Sequence, residues 1–302
     1  MNAPSPSVRI RAIPARAGLN WIRHALRAFA KQPGGFMGMF GLYFAVMILF
    51  SLPVSLLMPL ATLLHLDLQA VAMLCFMLMP LLTLSFMLST EAVTNDLRIR
   101  PALFFEPLRA SAAARRSLAA LGLVYVAVCV IAWYAGNGLD NGETLKWFNS
   151  VLIPRETDAA SAAAALAPLS DTAHLVIALK MTLVALGTIP LWHAPALVQW
   201  GRYGAAKAMF ASVVALWRTR AAMLVFGLGW FALSFVVTAV LGVLELVLGG
   251  GTLMLFAGLL VSWMFSALFY VTLWFGFVDT FDIRPVSEFR TVMAEGEPPA
   301  PR

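Results

Sequence analysis

Six stretches, roughly 37–62, 70–93, 117–136, 178–199, 222–247 and 253–278, are each long and apolar enough to cross a bilayer. About 20 residues at a rise of 1.5 Å each cover the ~30 Å of hydrocarbon. A spanning segment must satisfy every backbone amide within itself or within a closed barrel, and unbroken apolar runs of this length read as helices. The expected fold is therefore all-α, a polytopic membrane protein of six transmembrane helices. Composition agrees: 12% of residues are charged and the mean hydropathy is +0.84, against about a quarter charged in a soluble domain.

Short connections, "LLHLDLQ" after the first run and "LGGGT" after the fifth, predict antiparallel hairpins, three in all. Charge then orients them. Eighteen of the 21 Lys/Arg fall in residues 1–35, 94–116, 200–220 and the tail from 279, whereas the opposite-side segments carry only Lys146 and Arg155, with Lys180 left over in the fourth run. The positive-inside bias predicts that both termini lie in the cytoplasm of a bacterial inner membrane. The basic leader is long and no small-residue cleavage site follows a short apolar core, so the first span is expected to be an uncleaved anchor. Cys75 and Cys129 fall inside spans, with neither a disulfide nor a metal spacing.

The chain reads as a basic leader (1–35), a six-span domain (36–278) with an external loop at 137–171, and a tail (279–302). Residues 1–15 and the low-complexity "DAASAAAALAPLSD" carry little structural signal. Within the leader, Leu19, Ile22, Leu26 and Phe29 recur at helical spacing, with Arg23, Arg27 and Lys31 on another face and Trp21 at the boundary. This pattern predicts an amphipathic helix lying in the cytoplasmic interface, its charges available to anionic headgroups. "RYGAAKAMFASVVALWRTR" (202–220) predicts a similar element, with Met209, Val213 and Leu216–Trp217 on its apolar side. "RPALFFEPLRASAAARR", broken by Pro107, is a weaker version. The pattern similarity of 28–45 to 215–232, and of "DLRIRP" to "TFDIRP", suggests a parallel internal repeat.

Three candidate sites lie within or beside the spans. Lys180 stands near the outer boundary, where its stem can lie in lipid, and Glu245 reaches the same depth, so a structural ion pair is expected. His193 lies between Pro190 and Pro195. Each proline removes a backbone donor and frees a carbonyl, which His193 could bond. Alternatively, His193 could face a cavity. Glu91 closes the second span, with Arg98 and Arg100 as expected partners, and Pro53, Pro59 and Pro80 predict further kinks. Gly34, Gly35, Gly38 and Gly41, and Gly227 and Gly229, would permit close helix approach.

No phosphate-binding loop, HExxH, Cys/His cluster or G-x-S-x-G occurs, and no paired intramembrane nucleophile and base can be assembled. No enzyme, cofactor or metal is expected, and the arginines, already explained by topology, do not read as a nucleic-acid surface.

"IPARAGLNWIRHALRAFAKQP" (13–33) and "APALVQWGRYGAAKAMFASVVALWRTRAAMLVFGL" (194–228) resemble landmarks of a family of uncharacterised bacterial multi-pass inner-membrane proteins with an N-terminal PAR-x-G-x-x-W segment. The resemblance implies a six-span architecture and carries no activity or site residues with it. The expected function is non-enzymatic: organising or assisting lipids or membrane partners, a second copy included. A small-molecule transporter or channel built around His193 is the alternative.

Overall fold

The computed structural model describes residues 9–64, 68–152, 169–249 and 252–282. The first eight residues, most of the low-complexity run and the tail arginines Arg284, Arg290 and Arg302 lie outside the described residues. The described chain is helical throughout: α1 (Ala17–Lys31), α2 (Pro33–Leu56), α3 (Met58–Leu63), α4 (Leu68–Ala72), α5 (Met79–Thr94), α6 (Ala102–Arg109), α7 (Ala112–Tyr134), α8 (Glu143–Leu152), α9 (Asp171–Thr188), α10 (Ala194–Gln199), α11 (Ala205–Arg218), α12 (Arg220–Leu248) and α13 (Thr252–Thr280). Among the described residues there is no strand, only a bridge between Ile10 and Phe281. Six helical segments are long and apolar enough to cross a membrane: 33–56, 70–94, 112–134, 171–199, 220–247 and 256–280.

Proline chemistry accounts for the irregular spans. Pro53 sits within α2, which continues past it. Pro59 and Pro80 stand in the first turns of α3 and α5, where the missing N–H costs no helix bond. Residues 73–78, ahead of Pro80, are wound as a 3-10 helix. The fourth span, expected over 178–199 with kinks at Pro190 and Pro195, is broken there. α9 ends at Thr188, a 3-10 turn covers Ile189–Leu191, and α10 restarts with Pro195 in its first turn.

The chain divides into two compact units. The larger comprises residues 1–49, 78–121 and 190–302, and its core is aromatic. Phe36 stacks on Phe29 and Phe86 at 5.7 and 6.2 Å. Trp230 meets Phe265 edge-on at 4.8 Å, and Phe226 lies 5.8 Å from Trp21. Edge-to-face and offset contacts of this kind add stabilisation beyond area alone, which matters where lipid offers apolar groups an equally apolar alternative. At the centre of this unit is α5, whose residues 80–93 are all buried. Its hydroxyls bond backward along the helix: Ser85 to Leu81 O, Ser89 to Ser85 O and Thr90 to Phe86 O. Ser85 also reaches Phe104 O of α6 at 3.2 Å.

Helix α1 packs along α12 and α13 and also touches α5. The approach to α12 is close: a Cβ added at Gly18 would lie 2.2 Å from Ala222 O and 2.6 Å from Phe226 N. Only glycine permits that crossing. The Trp21 indole N–H donates to Asp279 Oδ2 at 2.7 Å, fixing α1 to the end of α13. Ahead of α1, Arg11 N–H donates to Thr280 O, Asp282 N–H donates to Arg9 O, and the Arg11 and Asp282 side chains pair.

The smaller unit comprises residues 50–77 and 122–189. Within it, the part of α7 from Gly122 onward passes the 3-10 segment so closely that a Cβ at Gly122 would meet Met77 O at 2.4 Å. The loop after α7 is built on Asp140, which is buried and accepts from Gly142 N–H, Thr144 N–H and the Thr144 hydroxyl. Burial acts to raise its pKa, but these donors outweigh burial and hold the carboxyl below the usual range. Glu143 accepts from Ser170 N–H and its hydroxyl, which likewise lowers its pKa. Ser170 in turn caps α9 by accepting from Ala173 N–H.

Candidate functional site

The two basic helices present the first candidate surface. On α1, the buried stripe is Ala17, Gly18, Trp21, Ile22, Ala25, Ala28 and Phe29, at spacings of one, three and four. This corrects the face expected from the sequence. Trp21 is 1% exposed at the centre of the stripe, while Leu19 and Leu26 are more than 40% exposed beside the arginines. The apolar face of α1 is therefore consumed by protein. Arg23 and Arg27 are exposed, whereas Lys31 donates to Asp96 Oδ1 at 2.7 Å. Both partners of that pair are mostly in solvent, so the pair adds little stability.

Helix α11 is built the other way round. It buries Ala208, Ser212 and Ala215, a narrow small-residue stripe, and turns Phe210 and Trp217 outward at 72% and 71% exposure, with Val213 exposed beside them. Lys207 and Arg218 are exposed on the same element, which carries no acid, and Arg220 is exposed at the start of α12. Arg220 lies over the Trp217 ring at 5.5 Å, and Lys207 over Tyr203 at 4.0 Å. The sequence carried the signal in the spacing of Ala208, Ser212 and Ala215, but small residues are less conspicuous than the aromatics opposite them.

The intramembrane polar residues separate into satisfied and unsatisfied. Lys180 is 5% exposed and donates to Trp133 O and Asn137 Oδ1, both at 2.6 Å, with its ammonium 5.4 Å from the Trp133 ring. Local acceptors at the end of α7 and just after it replace the expected ion pair: Lys180 is in none of the ion pairs among the described residues, and Glu245 is exposed on α12. A backbone carbonyl and an amide oxygen satisfy an ammonium without desolvating a second charge.

His193 is fully buried at the break before α10. Its ring lies 5.5 Å from Phe281 and 6.1 Å from Phe277, and neither ring nitrogen has a hydrogen-bond partner among the described residues. The expected bond to a freed carbonyl is absent. The contact that holds the residue is through its backbone: His193 N–H donates to Ser212 Oγ of α11 at 3.1 Å. Pro190 falls in the 3-10 turn, while Pro195 is buried in α10. Glu91 departs from expectation in the same manner. It is 5% exposed, its Oε2 has no partner, and no ion pair with Arg98 or Arg100 forms. Buried polar atoms normally find partners; among the described residues these two side chains are exceptions, together with the Trp230 indole and the Thr280 hydroxyl. Among the described residues no three His, Cys, Asp or Glu side chains converge as metal ligands.

The chain is 27% identical over 265 residues to a probable inner membrane protein of Burkholderia thailandensis, an alignment spanning 86% of this chain and 90% of that one. No protein-family model matches the chain, and no solved structure matches it significantly.

Proposed function

We propose that this helical chain, with six membrane-length helical segments among its described residues, is a non-enzymatic inner-membrane protein that organises lipids through its basic helices, with both termini in the cytoplasm. The observation that carries this reading is α11. Phe210, Val213 and Trp217 stand exposed beside Lys207, Arg218 and Arg220. Aromatic and aliphatic groups that enter the acyl boundary, next to cations at headgroup level, are the chemistry of an interfacial helix on an anionic surface. Arg23 and Arg27 of α1 extend the same charge. The N-terminal PAR-x-G-x-x-W segment serves in this reading as the docking piece, its Gly18 and Trp21 holding α1 against the bundle.

The test is native mass spectrometry of the protein released from mild detergent. Co-purifying phosphatidylglycerol should fall in the Arg218→Gln/Arg220→Gln variant and further when Arg23→Gln and Arg27→Gln are added. Retention unchanged by all four substitutions rejects the proposal. His193 favours a second reading, a transporter whose solute replaces the missing ring partners. A small solute retained by the parent protein and lost in His193→Ala, irrespective of the four arginines, would establish it instead.

A further inference from the structure

Helix α2 opens with Gly34, Gly35 and Gly38, and only one of these glycines serves the protein's own packing. A Cβ at Gly35 would lie 2.9 Å from Ile99 Cδ1. At Gly34 and Gly38 a Cβ would meet nothing within 4 Å. The space they leave is a cavity of about 270 Å³, lined by Gly34, Gly38, Met39, Leu42, Ile99 and Pro101 among others. It is just smaller than the ~300–1,000 Å³ of pockets that enclose a whole small molecule. Its lining side chains are all apolar.

The wall of this cavity is held in place. After α5, Asp96 takes a left-handed φ of 59°, Leu97 N–H bonds back to Ala92 O and Asp96 N–H to Val93 O. This double bond closes the helix and turns the chain outward. Gln32 then grips the departing segment at two points, its Nε2 donating to Leu97 O at 2.7 Å and its Oε1 accepting from Ile99 N–H at 2.9 Å. Residues 97–101 are thereby fixed beside α2. Arg98 and Arg100 alternate with the lining residues Ile99 and Pro101. Neither arginine has an acidic partner among the described residues, and Arg98 is exposed.

From Gly34 to Leu42 the groove follows α2 for about 12 Å, beginning at the first residues of the first span. An apolar slot that begins there, walled by a segment whose Arg98 and Arg100 have no acidic partner among the described residues, is complementary to one kind of occupant. We propose that this groove binds one anionic phospholipid: an acyl chain lies along Gly34, Gly38 and Leu42, and Arg98 and Arg100 hold the headgroup phosphate. A second copy is disfavoured as occupant, because a two-fold contact here would bring Arg98 and Arg100 against their own equivalents. The assignment rests on the lipid-organising reading above and narrows it from a charged surface to one built site.

Full-length protein in phosphatidylcholine vesicles, with a minor fraction of phosphatidylglycerol carrying a diazirine near the top of one acyl chain, provides the test. After photolysis, label should appear on the peptide containing residues 34–42. Gly38→Leu, whose side chain enters open space, should reduce that label about tenfold. Gly34→Leu is a second variant on the same wall if Gly38→Leu fails to fold. Arg98→Gln/Arg100→Gln should reduce labelling by the phosphatidylglycerol probe and leave labelling by a phosphatidylcholine probe unchanged. Label on 34–42 that is absent, or indifferent to the leucine or to headgroup charge, overturns the site. So does a disulfide between copies in Gly38→Cys. If label on 34–42 is lost from the picture while phosphatidylglycerol retention still depends on Arg218 and Arg220, the groove falls and the basic-helix reading stands. If retention depends on neither, both fall.

Discussion

Helices α1 and α11 look alike in the sequence: each is a basic, amphipathic segment just ahead of a span, each with a tryptophan. In the structure they are inverted. α1 buries its aromatic side against α12 and α13, with Trp21 1% exposed, and shows solvent its charges and two leucines. α11 buries alanines and a serine, and exposes Phe210 and Trp217. The difference teaches that an amphipathic pattern specifies which residues leave water, not what they enter. Protein received the large face of α1. The large face of α11 is left for something else, and in our reading that is lipid.

The comparison can be broken most forcefully at Trp21. Trp21→Ala empties a filled site and orphans Asp279, and should destabilise the protein by about 3–5 kcal/mol. Thermal unfolding in detergent, followed by near-ultraviolet circular dichroism, measures it. A loss no greater than that of Trp217→Ala would dissolve the contrast. Gly18→Ala comes next: its methyl group would collide with the α12 backbone, costing about 1–3 kcal/mol and freeing α1 for proteolysis near Arg23 or Arg27. Undiminished protection there would mean that α1 does not depend on that crossing.

Ser212→Ala sharpens the comparison from the buried side of α11. It leaves the His193 amide without its acceptor and should cost about 1–3 kcal/mol, seen as a lower unfolding temperature. An unchanged temperature would show that the small stripe is held by packing alone. The smallest effect on stability belongs to Trp217→Ala, within about 0.5 kcal/mol as for other exposed positions. Its expected consequence is reduced phosphatidylglycerol retention in native mass spectra. A large stability loss with normal retention would reassign Trp217 to protein packing.

Much of this architecture was legible beforehand. The six runs are long because the bilayer is thick, and each appears as a membrane-length helical segment, the second and fourth interrupted by 3-10 turns. The helix breaks followed from proline, though Pro53 shows that the residue alone does not compel one, since α2 passes through it. The polar residues were less legible. Lys180 and Glu245 match in estimated depth, and depth is readable from residue count. Rotation about the helix axis is not, so nothing in the sequence indicated that Trp133 and Asn137 would take the ammonium instead. Glu91 stands next to a basic segment in sequence, yet α5 carries it into the core, and it is in none of the ion pairs among the described residues.

By itself the sequence determined the solvent, the helical class and the number of spans, because hydrophobic length and backbone hydrogen bonding leave a chain in lipid few options. Only the tertiary structure decided which face of each basic helix meets protein, that Gly18 rather than Gly38 makes a helix crossing, and that His193 is sealed between Phe277 and Phe281. Those outcomes depend on helix rotation and on atoms distant in the chain. In a membrane, where apolar side chains gain little by leaving lipid for protein, close fit between particular surfaces makes that choice.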